Sequence, residues 1–443
     1  MKTFLVCLLL TLVARAEVPS PRFTDLYDDA LLNKWQASFE EDITWNYKNV
    51  ILPKLTRAEK AKLDNVKILF PLKGAGQEPF EFYAANGSVF IPVLSLRFFA
   101  DLMLATAWLE RSGYTSETVQ QYVGMLRYSD KSTFKGGIFP RPLDALGIPA
   151  NVRDDKRVMQ TFNNAYSSAM IFLLCHELGH VVHNHPGYIG VDTADTRANE
   201  AQADSFALEV MRRIGVVPAG AMFWFVNLTR FEQHRSDVSS DKEWKKVLDA
   251  RTHPLTSDRL ERLAALMEKS APDFARTQSD TAKGLLLVRS IAAQIRVVSQ
   301  TLTNQGIHRL YREQALTTKP EMLAPRRTLA YEAVAASGGK FDELPFNGEF
   351  VCTLASGVNK QSIDQKMLLS RNSNKVVGEY SHATISGRIA GTVDGKTLNL
   401  DWFEGRAAGK GAFIWNDADK SFTGTWGDRQ SRTDGGSWDG KRK

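Results

Sequence analysis

The chain has 443 residues, of which 43% are hydrophobic, so it has ample material for a core and is long enough for two domains. The formal net charge is +6, and without Lys2 and Arg15 the count is 54 basic against 50 acidic side chains, or +4. This excess is too small and too scattered to indicate a nucleic-acid-binding protein, so we expect no nucleic-acid partner.

The first sixteen residues have the pattern of a cleavable signal peptide. Lys2 precedes the apolar run Phe4 to Ala14, and small residues at Ala14 and Ala16 match a cleavage site after Ala16. Eleven apolar residues are too few to span a bilayer, and no later stretch reaches eighteen residues without charge. We therefore predict export to the periplasm or the outside of the cell, without stable membrane insertion.

Only two cysteines remain after the predicted cleavage, because Cys7 leaves with the signal peptide. An exported protein can pair Cys175 with Cys352 in a disulfide. We favour two buried thiols instead, since free cysteine behaves as a small core residue and Cys175 lies in a predicted helix.

Residues 17–316 are predicted to form a mainly helical domain. Residues 17–55 are an aromatic-rich, helical lead-in, and Leu94 to Ser112 has apolar residues at helical spacing. Glycines and prolines between Lys131 and Arg157 indicate a long loop, which we interpret as a segment that helps to shape a substrate groove.

A metal-binding pattern lies at the end of the next predicted helix, Ala165 to Val182. In His176-Glu177-Leu178-Gly179-His180 the two histidines are four residues apart, so they project from one helix face and can bind one ion. Glu177 is turned about 100° from His176, which places it beside a metal-bound water rather than on the metal. We expect Asn163 or Asn164 to cap this helix.

A second predicted helix, Glu200 to Arg213, supplies the third ligand. Nineteen residues separate His180 from Glu200. A catalytic zinc takes three protein ligands and keeps one position for water, which His176, His180 and Glu200 would satisfy. Asp204 lies one turn further and is placed to bind the free ring nitrogen of a ligating histidine. Gly215 is expected to end the helix.

Two other interpretations of these helices are open. In the first, both are ordinary core helices whose histidines only satisfy hydrogen bonds. In the second, a third histidine binds the metal, but His183 and Pro186 stand where that pattern needs glycine and histidine. We therefore predict that His183 and His185 are helix-end or surface residues.

These blocks resemble the gluzincin metallopeptidases, and most closely the HtpX and CAAX prenyl protease family. The resemblance rests on the segments 86–92 (NGSVFIP), 176–185 (HELGHVVHNH), 200–207 (EAQADSFA) and 252–260, which contains His253-Pro254. It covers roughly residues 60–269. The spacing to Glu200 is more similar to that of thermolysin, and the membrane helices of the integral members are missing.

The resemblance implies that His176, His180 and Glu200 bind one Zn²⁺ per chain and that Glu177 is the general base. For His253 it suggests an oxyanion donor; the alternative is that His253 caps the helix beginning near Pro254.

Helices are further expected at Ala219 to Phe231, Ser257 to Glu268 and Leu285 to Leu316, followed by a linker at 317–345. Residues 346–443 alternate in short runs punctuated by glycine, and Asp394-Gly395 is a strong hairpin signal. This pattern predicts an antiparallel β-sandwich or barrel, and with the helical domain an α+β protein. Four tryptophans, Trp402, Trp415, Trp426 and Trp438, either fill the core of this module or form a docking face for sugars or peptides.

The sequence therefore predicts an exported zinc endopeptidase that acts on peptides or proteins. The alternative is a non-catalytic envelope or extracellular protein, in which the β domain binds a glycan or a protein and the zinc is structural or its site degenerate.

Overall fold

The computed structural model describes residues 23, 25–186, 193–249, 253–325, 344–356, 362–382, 385–404, 407–428 and 430–443. The signal-peptide prediction, most of the predicted linker and Thr252 lie outside these residues. A mainly helical region is followed by an eight-stranded antiparallel β-barrel, which confirms the α+β class. Of the two architectures predicted for residues 346–443, a sandwich or a barrel, the structure shows the barrel.

Twelve α-helices are described in the helical region. They are α1 Asp29–Asn46, α2 Arg57–Lys62, α3 Val93–Arg111, α4 Glu117–Tyr128, α5 Pro142–Ala145, α6 Lys156–Val182, α7 Thr193–Ile214, α8 Ala219–Phe231, α9 Asp241–Asp249, α10 Ser257–Arg276, α11 Thr281–Thr303 and α12 Gln305–Thr317. Between α4 and α6 the predicted long loop contains only α5 and three 3₁₀ turns.

Helix α6 begins earlier than the sequence indicated. The side chain of Asp155 accepts hydrogen bonds from the backbone N–H groups of Arg157 and Val158, so it is the N-cap. The predicted caps, Asn163 and Asn164, lie inside the helix, and that prediction was wrong. Asparagine is tolerated there because both side chains are exposed.

Three other helix predictions also differ from the structure. Helix α7 starts at Thr193 rather than Glu200, and α10 continues through Pro272 to Arg276. The cap of α10 is Thr256, whose hydroxyl accepts a hydrogen bond from the N–H of Arg259, so His253 is not the cap. The stretch predicted as one helix from Leu285 is divided into α11 and α12, with the break at Asn304.

Helix α6 is the centre of the helical region and packs against α3, α7 and α8. Two glycines allow this close packing. A Cβ on Gly179 would lie 3.0 Å from Cα of Ala203 on α7, and one on Gly220 of α8 would lie 2.3 Å from N of Ala169. Because Gly179 is part of the histidine motif, it lets α7 approach where Glu200 must reach the same site.

A three-stranded sheet lies beside these helices, with the strands β1 Lys67–Leu69, β2 Tyr83–Ala85 and β3 Ser88–Phe90. Strand β3 is central, parallel to β1 and antiparallel to β2. Tyr83 pairs with Phe90, and their rings stack with centroids 4.7 Å apart. The resemblance implies that segment 86–92 is an edge strand before the active-site helix; residues 88–90 are a strand, but it is central in this sheet, so the expected edge position was wrong.

The barrel strands follow one another as a simple up-and-down meander. They are β4 Gly348–Ser356, β5 Ser362–Asn372, β6 Lys375–His382, β7 Ile385–Asp394, β8 Thr397–Glu404, β9 Ala407–Asn416, β10 Ser421–Asp428 and β11 Gly436–Arg442. Antiparallel pairing of β11 with β4 closes the barrel. The Asp394-Gly395 hairpin joins β7 to β8, and Gly395 has a φ of 57°.

Large side chains fill the barrel interior. Trp402, Trp415 and Trp438 are all buried in this core, and Trp426 packs against it half-buried. The core interpretation of the tryptophans therefore accounts for three of the four. Cys352 is a buried free thiol in the same core, and Cys175 is a buried free thiol in the helical region.

Two described helices are long and apolar enough to span a membrane by length and composition alone. They are Lys156–Val182 and Gly284–Thr303, with 78% and 44% of their most apolar windows buried. The first is the central core helix α6, which explains its apolar character. Such helices are weak evidence for a membrane span.

Candidate metal centre

Four side chains from three segments converge at the inner end of α6. They are His176 and His180 of α6, Glu200 of α7 and His253, which lies four residues before α10. One ligand atom from each lies within 4.8 Å of all the others. Three of the side chains are at most 3% exposed, whereas that of His253 is 17% exposed.

The distances within this cluster match a single small cation. The Nε2 atoms of His176 and His180 are 3.1 Å apart, and each lies 3.4 Å from a carboxylate oxygen of Glu200. Nδ1 of His253 is 3.0 Å from Glu200 Oε1 and 3.4 Å from His176 Nε2. A tetrahedron with metal–nitrogen bonds of about 2.0–2.1 Å has edges of about 3.3 Å, so these donors fit one zinc ion.

Asp204 and Arg259 support the ligands from behind. Asp204 Oδ1 lies 2.9 Å from His176 Nδ1, which directs the other ring nitrogen of His176 into the cluster. Arg259 of α10 binds both oxygens of Asp204 at 2.8 Å and reaches Glu200 Oε2 at 2.5 Å. One guanidinium therefore fixes two carboxylates, a geometry that suits its planar fork.

Glu177 lies next to the cluster but is not part of it. It is 2% exposed, and its Oε1 is 3.6 Å from Nε2 of His253. Its Oε2 is buried and has no hydrogen-bond partner among the residues that the structure describes. A buried, unpaired carboxylate oxygen is costly and is a common feature of functional sites.

The electrostatics of the cluster follow from burial and close charges. Burial lowers the pKa of His176, but its bonds to Asp204 and Glu200 outweigh this and raise that pKa to about 10. For His180 burial dominates, and the pKa is lowered. Burial would raise the pKa of Glu200 and of Asp204, but Arg259 holds both below their usual values. The carboxylates are therefore held ionised, as a cation site requires.

Glu177 differs from these two carboxylates. Burial raises the pKa of Glu177, and the histidines beside it only partly oppose the rise. A carboxylate whose pKa is shifted upwards is better suited to accept and return a proton near neutral pH.

A cavity of about 520 Å³ opens beside Glu177 and His253. Its lining includes aromatic side chains from the sheet region and from α8, among them Phe82 and Trp224, and the carboxylate-bearing Glu78. The long segment 131–157, predicted to shape a groove, contributes no residue to this cavity. The cavity is instead lined mainly by residues of 75–83, α6 and α8 and by His253.

Most residues of this cluster were predicted from the sequence, but two of its contacts were not. The structure brings together all six residues singled out: His176, Glu177, His180, Glu200, Asp204 and His253. It also places His253 at ligand distance, a position that the sequence had linked to an oxyanion. Arg259 was missed as a partner of the carboxylates, although its segment belongs to the quoted 252–260 block. His185, predicted as a helix-end or surface residue, contacts His180 with its ring.

The family Peptidase U49 matches residues 139–277, about a third of the chain. This range contains every residue of the cluster described above. No curated protein and no solved structure matches the chain. The match supports peptidase activity, and it covers residues 139–277 only.

Proposed function

We propose that the chain is an exported zinc-dependent endopeptidase. The observation that carries the proposal is the convergence of His176, His180 and Glu200 at distances that suit one tetrahedral ion, beside a cavity and a free carboxylate oxygen. The similarity to Peptidase U49 supports hydrolysis of peptide bonds. Export rests on the signal-peptide pattern of residues 1–16.

His176, His180 and Glu200 would hold the zinc ion. Bound there, zinc would supply Lewis acidity, polarising a peptide carbonyl and making a water molecule more acidic. Arg259 and Asp204 keep the ligands in place by fixing the Glu200 carboxylate and the ring of His176.

Glu177 would act as the general base. Its Oε2 takes the proton of the attacking water and passes it to the amine that leaves. The side chain cannot turn away to solvent because it is buried. His253, at the cavity and close to Glu177, would donate a hydrogen bond to the carbonyl oxygen as negative charge develops there.

The second candidate is a protein in which the zinc is purely structural. The observation in its favour is His253, because four protein ligands are typical of closed structural sites. A His253→Leu variant, whose side chain can neither donate a hydrogen bond nor bind zinc, separates the two roles. If His253 is an oxyanion donor, its loss leaves the zinc affinity intact and lowers the turnover by about 10²–10³-fold. If His253 is a fourth ligand, its loss lowers the zinc affinity itself.

The test of the proposal is cleavage of casein and of a broad peptide library by the zinc-loaded chain. We expect cleavage that stops on removal of zinc with a chelator and returns with added Zn²⁺. Glu177→Gln keeps the shape of the side chain but removes the base, so turnover should fall by about 10²–10⁴-fold while zinc is retained.

The matched control is Glu232→Gln, which changes another glutamate of the same cavity that has no place in the cluster. It should keep activity within a few-fold. A fully active Glu177→Gln variant would rule out the general-base role. One zinc per chain with no cleavage of any library peptide would favour the structural candidate.

A further inference from the structure

The turn that ends α6 brings His185 into contact with His180 of the candidate metal site. The N–H of Asn184 bonds to the carbonyl of Val181 at 3.1 Å, and the N–H of His185 bonds to that of His180 at 3.0 Å. Asn184 has a φ of 54°. These two bonds and the left-handed residue are those of a Schellman motif, in which the last residue normally packs an apolar side chain on the helix.

Here the packed side chain is an imidazole that forms a hydrogen bond. Nδ1 of His185 lies 2.9 Å from Nδ1 of His180, on the side of that ring opposite the cluster. Nε2 of His185 lies 2.9 Å from Oε1 of Gln202 on α7. A chain of side-chain hydrogen bonds therefore runs from Gln202 on α7 to His185 in the helix-ending turn and from there to His180.

The direction of hydrogen bonding along this chain is determined by its outer end. The amide oxygen of Gln202 only accepts, so Nε2 of a neutral His185 carries the hydrogen and its Nδ1 carries a lone pair. His180 must then donate from Nδ1, which leaves a lone pair on Nε2. That atom is the one that faces Glu200 and His176. With the Gln202 amide reversed, its NH2 group would donate to Nε2 of His185, and His185 would donate from Nδ1 to Nδ1 of His180. The hydrogen of His180 would then lie on its Nε2 and prevent metal ligation.

We propose that His185 and Gln202 are positioning residues that fix the ring and the tautomer of His180 for metal binding. The proposal rests on the proposed zinc site but not on proteolysis. It also means that His176 and His180 are oriented by different partners. His176 is directed by the carboxylate of Asp204, whereas His180 is directed by the imidazole of His185 and, through it, by the amide of Gln202.

The test is the Zn²⁺ dissociation constant of the full chain, measured by competition with a chromophoric chelator. His185→Ala and Gln202→Leu should each weaken binding by about 10–100-fold, the usual effect of losing a partner of a ligating histidine. Gln202→Glu keeps an accepting oxygen and should bind zinc at least as tightly as the wild type. Gln202 is exposed, so its variants do not depend on refilling a core.

Two further variants distinguish positioning from general disturbance. The double variant His185→Ala/Gln202→Leu should bind zinc no more weakly than His185→Ala alone, because Gln202 acts only through His185. Ser205→Ala is the matched control, since Ser205 is exposed, lies three residues from Gln202 on α7 and bonds through its hydroxyl to the carbonyl of Ala201 in the same helix. It should keep the wild-type affinity.

The turn itself offers a second test. Asn184→Gly suits the left-handed conformation and should keep the affinity, whereas Asn184→Val disfavours it and should weaken zinc binding.

Unchanged affinity in His185→Ala, or an equal loss in Ser205→Ala, would overturn the proposal, as would Gln202→Glu as weak as Gln202→Leu. If His185→Ala does not fold, the Gln202 pair decides. A wild type that binds zinc but cleaves nothing removes the endopeptidase proposal and leaves this one intact. A wild type without zinc affinity removes both.

Discussion

The helical region and the barrel bury polar groups in opposite ways. Around α6 a compact group of ionisable side chains is almost fully buried, with Glu177, Glu200 and Arg259 at most 5% exposed. The barrel core is built from aromatic and aliphatic side chains such as Phe413 and Trp438. Burying charge opposes folding unless partners compensate, whereas burying apolar surface favours it. The helical region therefore accepts a cost in stability to hold a site, whereas the apolar burial in the barrel favours stability.

The largest effect that tests this comparison is expected at Arg259. Arg259→Met keeps the volume but leaves Glu200 and Asp204 without their shared cation. Removing one partner of a buried ion pair costs about 3–5 kcal/mol, so the metal-free helical region should unfold at clearly lower denaturant. Zinc should restore part of the loss, because its charge partly replaces that of arginine. Denaturant unfolding with and without zinc measures both, and an unchanged midpoint in the metal-free chain would contradict the account.

The corresponding change in the barrel should act on stability only. Trp438 is 2% exposed in the barrel core, and Trp438→Ala should cost about 3–5 kcal/mol. Zinc affinity should stay at the wild-type value, because no barrel residue belongs to the cluster as described. Trp45→Ala is the control, since Trp45 is 58% exposed and its loss should change stability by about 0.5 kcal/mol or less. A loss of zinc affinity in the Trp438 variant would show that the regions are not separate in function.

The smallest effect is expected at the hairpin between β7 and β8. Gly395 has a φ of 57°, and a side chain there would have open space around it. Gly395→Ala therefore meets only the backbone cost of the left-handed conformation, about 1 kcal/mol. Thermal unfolding measures it, with Gly87→Ala, at a φ of 70° and in equally open space, as the matched change in the helical region. A loss several times larger at either glycine would contradict this reason.

Local periodicity was enough to place the parts of the site that lie on one helix. His176 and His180 are one turn apart, and Glu200 and Asp204 are one turn apart on α7, so each pair follows from a spacing of four. The hairpin at Gly395 was also predicted from local sequence, because Asp-Gly is typical of a two-residue hairpin turn.

Features that depend on tertiary contacts were not accessible in this way. Arg259 lies 55 residues beyond Asp204, and only the packing of α10 on α7 brings them together. The sequence predicted His185 at a helix end, but its bond to His180 needs the left-handed conformation of Asn184, which helical periodicity does not indicate. The start of α6 was missed because the capping residue, Asp155, precedes the apolar run by more than three turns.

The central claim is that His176, His180 and Glu200 bind one zinc ion together. The most direct measurement is the zinc content of the full chain after gel filtration, for the wild type and for His176→Ala, His180→Ala and Glu200→Ala, with His183→Ala as the control. The account predicts one zinc per chain in the wild type and the control and loss of zinc in the other three. One zinc retained in all three ligand variants, or none in the wild type, would contradict it.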